Sequence, residues 1–302
     1  MTVSSASIPL LLKPGAREIA GLYPTLERQW PKVFSRRDSD LQAEYTPTMR
    51  YLGLPGIKSP GQSPNVDNQS RQVYASQHIH TAYGLMYGFT REAMDDNLYK
   101  REFDPANLGL AKSFQAMEET VAADVFNLGN VYNAANGGDG VALFSTAHPV
   151  DGYNIPNTPG TPIGLNESSL LAAENGIRQF RDQAGVLILA QASKLVVPIQ
   201  QRHVARRITV GQFRPGTADN DVAVVKENND LSDGYIALDY LTNPFAWFVL
   251  SNQGGLIMLE RVPFEINVWV DKATQNLLVS GYQRYYFGFD RWACAFGMYP
   301  SS

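Results

Sequence analysis

Ser145-Thr146-Ala147-His148 places a hydroxyl and an imidazole close in sequence, the pairing that activates a nucleophile for acyl transfer. Such a pair works only with an acid to orient the imidazole and donors to receive an oxyanion. No Gly-x-Ser-x-Gly turn exposes the serine, and Pro149 ends the segment, so it reads as a polar loop. As loop residues, the two side chains contribute at most about 1–2 kcal/mol each through a hydrogen bond. His78 and His80 on a strand would turn both rings to one face, but two histidines without a third ligand make a poor zinc site. The preferred reading is a solvated ribbon. Glu118, Glu119 and Asp124 have the chemistry of a general acid/base pair; on a helix they read instead as a solvated face or as salt bridges between subunits. Gly137-Gly138-Asp139-Gly140 lacks the lysine and following helix of a phosphate loop. Arg202, Arg206, Arg207 and Arg214 form a weak polyanion site or, preferably, a helix face or interface. Cys294, the one cysteine, excludes an intramolecular disulfide and a cysteine-rich metal site. These residues call for no cofactor, no metal and no catalytic role.

The elements that would position them begin with a long helix. Downstream of Asp104-Pro105 the apolar residues Leu110, Phe114, Met117, Val121, Val125 and Leu128 are spaced as one face of an α-helix. Asp104 fits an N-cap, Pro105 fits the first turn, and Gly129 lies near the other end. Such a helix runs about 25 residues, or about 38 Å, and needs a sheet or helices laid along it. Met94, Leu98 and Tyr99 place a shorter helix before it.

Around this spine the chain is uneven. Residues 1–45 read as an arm, interrupted by Pro9, Pro14, Pro24 and Pro31. Its Tyr23, Trp30 and Phe34 are large and apolar with little nearby sequence to bury them, so the arm is expected to lie on another subunit. Residues 46–90 read as a long two-stranded excursion, Tyr45–Leu54 and Gln72–Phe89, around a Pro/Gly-rich tip carrying Leu54, Ile57 and Val66. An isolated ribbon is marginal in water and is expected to rest on a neighbour. Residues 137–165 are loop-rich, 167–182 a helix capped by Asn166 or Ser168, Val186–Leu189 and Lys194–Val197 short strands, and Gln200–Ile208 a helix. From Gly234 the chain is mostly β: Tyr235–Tyr240, Ala246–Leu250, Leu256–Leu259, Phe264–Val270, Leu277–Phe289 and Trp292–Met298. Gly254-Gly255 is spaced as a hairpin turn, and the runs over 277–298 are expected on the spine helix.

Composition bounds the function. The chain has 302 residues, 44% hydrophobic and 11% aromatic, enough for two compact units. Its net charge of −4 argues against dedicated nucleic-acid binding, and the first 50 residues are locally +2. No apolar run approaches a membrane span, and the N-terminus lacks a basic region and cleavage site for secretion.

Taken in order, these parts resemble the Hong Kong 97 fold of tailed-bacteriophage major capsid proteins. The local wording is similar too: Phe89 to Tyr99 at the entry to the spine, Leu110 to Ser113 and Ala122 to Asn127 in it, Asp139 to Pro149 in the loop that follows, and Leu241 to Phe248 further on. The resemblance covers about residues 15–300. It implies an α+β fold with an N-terminal arm (1–45), an extended β-ribbon loop (46–90), a peripheral domain with the spine helix (91–135 and 262–302) and an axial domain (136–261). It implies a non-enzymatic protein that self-assembles through pentamers and hexamers into an icosahedral shell around double-stranded DNA. The inter-subunit contact candidates are Tyr23, Trp30, Phe34, Leu54, Ile57 and Val66. It also implies a virion location after assembly in the host cytoplasm, no membrane partner, a portal and, with no long charged helical segment before the arm, a separate scaffolding protein. Some relatives join subunits through Lys–Asn crosslinks; Lys58, Asn267 and Asn276 have the residue types, but no crosslink site is assigned. The alternatives are an encapsulin-like cellular compartment of the same fold and a hydrolase using Ser145 and His148.

Overall fold

The computed structural model describes residues 23, 26–67, 71–96, 103–134, 138–211, 225 and 231–301. In chain order they form β1 (Ser35–Asp38), β2 (Ala43–Arg50), β3 (Arg71–Ile79), β4 (Thr81–Phe89), α1 (Arg91–Asp95) and α2 (Phe103–Asn127). Then follow β5 (His148–Val150), β6 (Tyr153–Ile155), α3 (Glu167–Arg178), β7 (Ala192–Pro198), α4 (Arg202–Val210), β8 (Tyr235–Leu238), β9 (Trp247–Ser251), β10 (Leu256–Val270), β11 (Leu277–Phe289) and β12 (Ala295–Met298). The expected continuation of α1 through Leu98 and Tyr99 lies outside the described residues, as does Arg214. The chain divides into two compact units, one from the described residues of Met1–Gln42, Ile79–Ala122 and Met258–Phe287, the other from those of Ala43–His78, Ala123–Ile257 and Gly288–Ser302.

Helix α2 has the expected 25 residues, beginning one residue before Asp104 with Pro105 in its first turn. Its buried face is not the expected stripe. The two agree at Leu110 and Phe114; the buried face then continues through Glu118, Ala122 and Phe126. Met117 is 37% exposed and Leu128 more so. Apolar spacing alone does not mark this face, because the helix turns two carboxylates, Glu118 and Glu119, inward.

In the first unit, α2 lies against a four-stranded sheet of order β1-β10-β11-β4. Leu110, Ala111 and Phe114 pack with Leu277 and Val279 of β11, with Met94 and with Tyr23. β4 pairs antiparallel with β11 from Thr81–Tyr285 to Phe89–Leu277. Close approach needs Gly281 on β11, where a Cβ would stand 2.5 Å from Phe114 Cε2. The expected ribbon strand over 72–89 therefore splits: β3 pairs with β2, while β4 joins this sheet. The break falls at His80, which is buried, so two different sheets claim the two halves of one β-prone run.

The second unit is built on a sheet of order β12-β9-β7-β8, antiparallel except for the β7–β8 pair. Leu170 and Ile177 of α3 and Ala205 of α4 meet Leu195, Val197, Trp247, Val249, Trp292 and Phe296 in its core. Asn166 caps α3 in a capping box with Ser169. Three other expectations are corrected. Val186–Leu189 makes only an isolated bridge between Arg181 and Leu187, because Leu189 takes a left-handed φ of 52°. Gly254-Gly255 is not a hairpin turn, since β9 and β10 enter different sheets. Of the 277–298 runs, only β11 lies on α2; Trp292–Met298 turns into a short 3₁₀ turn and β12, drawn by its apolar side chains into the core around Trp247.

Candidate functional site

The acid that the sequence did not reveal for His148 is Asp139. Its Oδ2 lies 2.6 Å from His148 Nδ1, while His148 Nε2 lies 3.1 Å from Asn157 Oδ1. The orientation of Asn157 is fixed by its amide nitrogen, which donates to the carbonyls of Leu143, Trp292 and Ala295 at 2.6, 3.3 and 3.3 Å. Its Oδ1 also accepts the Ser145 backbone N–H at 2.8 Å. The imidazole is 0% exposed and stacks on Trp292, centroids 4.5 Å apart and planes within 8°. Both ring nitrogens thus serve neighbours other than Ser145, whose Oγ accepts the Ala147 N–H at 3.2 Å. This constellation ties loop segments together rather than poising a nucleophile. Gly138 and Gly140, at φ 94° and 89°, let the backbone turn and present Asp139 to the ring, a use of glycine unrelated to phosphate.

His78 and His80 are buried, not solvated. His78 Nε2 meets Thr46 Oγ1 at 3.1 Å and His80 Nε2 meets Ser39 Oγ at 3.0 Å, so the two rings act separately. Among the described residues no group of three His, Cys, Asp or Glu side chains could hold a metal ion. Cys294 is buried, and burial pushes its thiol well above the usual range. Asp124 accepts from Asn127 Nδ2 on its own helix.

The carboxylates expected as a solvated face or as salt bridges between subunits are the centre of a buried clamp. Glu118 is 3% and Glu119 7% exposed. Glu118 accepts from Tyr23 Oη at 2.7 Å, Arg28 Nε at 2.9 Å and Trp30 Nε1 at 3.2 Å. Glu119 accepts the backbone N–H groups of Gln29, at 2.6 Å, and Trp30, at 3.2 Å. Burial raises the Glu119 pKa, the two N–H groups oppose the shift, and the Glu118 charge adds to it. Burial, then the Glu118 charge, holds the Tyr23 phenol protonated. Trp30 and Phe34 set their rings edge-on to Phe287, and Tyr23 meets Phe264. Tyr23, Trp30 and Phe34 are therefore buried in their own chain, which removes the reason for expecting them on another subunit. Sequence reading missed the clamp because its members lie about 90 residues apart. The signal present was adjacent glutamates next to an otherwise apolar stripe.

The ribbon tip differs. Between β2 and β3, residues 51–67 form no helix or strand. Leu54, Ile57 and Val66 are 79%, 102% and 78% exposed, with no core of their own. Tyr51 and Leu52 extend this apolar surface. Lys58 and Asn267 are exposed, while Asn276 Oδ1 accepts the Arg91 N–H. Among the described residues no helix is long and apolar enough to cross a membrane.

The family model described as phage capsid protein matches residues 77–297. Among solved structures, the chain is similar to one from Microbacterium phage Oxtober96, with a TM-score of 0.58 and 10% identity, covering 91% of each chain. It is similar to the mature capsid of bacteriophage PhiM1, at TM-score 0.56 and 13% identity, over 91% of this chain and 88% of that one. It is also similar to a virus-like particle from Pyrococcus furiosus, at TM-score 0.55 and 8% identity, over 94% and 98%. No curated protein matches the chain. At these identities the structural likeness is one of fold.

Proposed function

The chain belongs to the phage capsid protein family, and from that membership we propose that this α+β Hong Kong 97-type major capsid protein closes, through pentamers and hexamers of itself, into an icosahedral shell around double-stranded DNA. The observation that carries the assembly reading is the ribbon tip. Three large apolar side chains stand almost wholly in solvent on a two-stranded support that is marginal by itself. A neighbouring copy would cover them, and the same contact would repeat at every subunit. In this reading the ribbon is the extended loop, α2 with β10 and β11 belongs to the peripheral domain, and the sheet around β7 and β9 to the axial domain. The role is structural: His148 is spent on Asp139 and Asn157. A separate scaffolding protein and a portal complete the assembly, in the host cytoplasm, and the product is the virion shell.

A second reading is a cellular compartment of the same fold, since the likeness to shell structures, the Pyrococcus furiosus virus-like particle included, is one of fold and not of contents. Sedimentation of the purified protein, with scaffolding protein where required, tests the first claim: large closed particles are expected, and a lasting monomer contradicts it. Nuclease-protected DNA in particles from the native source supports the viral shell; an enclosed enzyme supports the compartment.

A further inference from the structure

Helix α4 carries Arg202, His203, Arg206 and Arg207 on its exposed side, while Ala205 and Ile208 seat it in the core. Among the described residues none of these three arginines has an ion pair. The helix also runs against two local rules. Arg202 opens its first turn, where the backbone dipole is positive, with no acidic residue in that turn and no side-chain cap, while Arg207 lies in the last turn, where a cation is favoured. Arg202 and Arg206 stand at i and i+4, where like charges repel. Among the described residues this pattern has no compensating acidic partner, which leaves the face open to a partner outside the fold.

Asp38, Asp40, Asp95, Asp151 and Asp233 hold Arg36, Arg261, Arg91, Arg50 and Lys194 of their own chain, whereas the exposed Glu92, Asp96 and Glu265 have no ion pair among the described residues, so a second copy is the rival occupant that the test has to exclude. Guanidinium groups one helical turn apart, about 6 Å at 1.5 Å per residue, suit a row of phosphates, each of which accepts arginine's paired N–H donors.

We propose that the outward face of α4 is a sequence-independent contact for the phosphate backbone of nucleic acid, through Arg202, Arg206 and Arg207. The proposal rests on the shell reading and adds to it a point of contact with the enclosed polymer. Three phosphate contacts bind weakly in one subunit, which agrees with a net charge of −4. Repetition over many copies makes the contact effective without a dedicated nucleic-acid-binding domain.

The test uses the full chain in unassembled form and a fluorescent DNA duplex of mixed sequence, with anisotropy read between 50 and 200 mM salt. The parent is expected to bind weakly and to lose affinity steeply with salt. R202Q/R206Q/R207Q should keep the circular dichroism of the parent and reduce the slope of log affinity against log salt by roughly 2.7, at 0.9 per phosphate contact. R202K/R206K/R207K should retain most of the slope. Absence of binding by the parent, or the parent's slope in the glutamine variant, overturns the proposal. Should the glutamine variant fail to fold, the single variants replace it, each expected to reduce the slope by about 0.9; unchanged slopes overturn the proposal equally. Because binding is read before assembly, shell formation decides the shell reading and duplex binding decides this one. A glutamine variant that binds duplex like the parent but no longer forms shells assigns the face to contact between copies.

Discussion

Glu118 and Glu119 show how much two side chains decide. Glu118→Ala takes the acceptor from the Arg28 guanidinium and the Trp30 indole N–H and leaves the Tyr23 hydroxyl only Gln283 Oε1, so a loss of about 3–5 kcal/mol is expected in urea denaturation. Glu119 behaves differently. Its pKa is raised in the fold, so below the ordinary carboxylate pKa the native state carries the proton without penalty. As pH rises through the folded value, that contribution is lost, because the unfolded chain releases its proton first. Glu119→Gln removes the charge and keeps an oxygen for the Gln29 and Trp30 N–H groups. The variant is therefore expected to gain stability relative to the parent at neutral pH, with the gap closing as pH falls toward 4.5; a gap that widens on acidification contradicts this. His148→Ala strips Asp139 and Asn157 of a partner and exposes the face of Trp292, so about 3–5 kcal/mol is expected rather than the 1–2 kcal/mol of a loop residue. Ser145→Ala stays near 1 kcal/mol. None of this was legible in the sequence. The sequence carries residue types, but the partners of Glu118 and His148 come from distant segments, and a buried carboxylate is indistinguishable in sequence from a solvated one.

Elements were read more faithfully than residues, because local signals fix them. The spacing of Leu110 and Phe114 located α2, Asn166 marked the start of α3, and the turn-rich tip separated β2 from β3. What failed was partner choice. Nothing within residues 72–89 states that β3 and β4 enter different sheets, since both are equally β-prone. The rotated face of α2 gives a direct check. Met117→Asp, on the exposed side, should change stability by about 1 kcal/mol or less, whereas Phe114→Ala, under Gly281, should cost about 3–5 kcal/mol. The ribbon separates folding from assembly. Replacing residues 54–67 by an Asn-Gly turn removes Leu54, Ile57 and Val66, which contribute nothing to either core. Far-UV circular dichroism and solubility should match the parent, while closed particles become rare or fragile, because a small loss per contact repeats across the shell. Unfolding of the variant, or shells as robust as the parent's, contradicts this division.

At the scale of the whole molecule, two compact units each bury an apolar core, while the apolar tip of the ribbon and the cationic face of α4 stand exposed. The fold was recognisable from the order of its parts: an arm, a ribbon, a long helix, an inserted α/β region and returning strands. Exposure was harder to read, since the arm's aromatics are buried in their own chain while the ribbon's apolar residues are exposed. The most direct measurement is cryo-electron microscopy of the purified full chain, assembled with its scaffolding protein if one is required. The account predicts closed shells in which Leu54, Ile57 and Val66 of each copy are covered by an adjacent copy, while Tyr23, Trp30 and Phe34 remain packed against Phe264 and Phe287 of their own chain. Shells in which the ribbon tip stands free in solvent, or a protein that stays monomeric under every such condition, would contradict it.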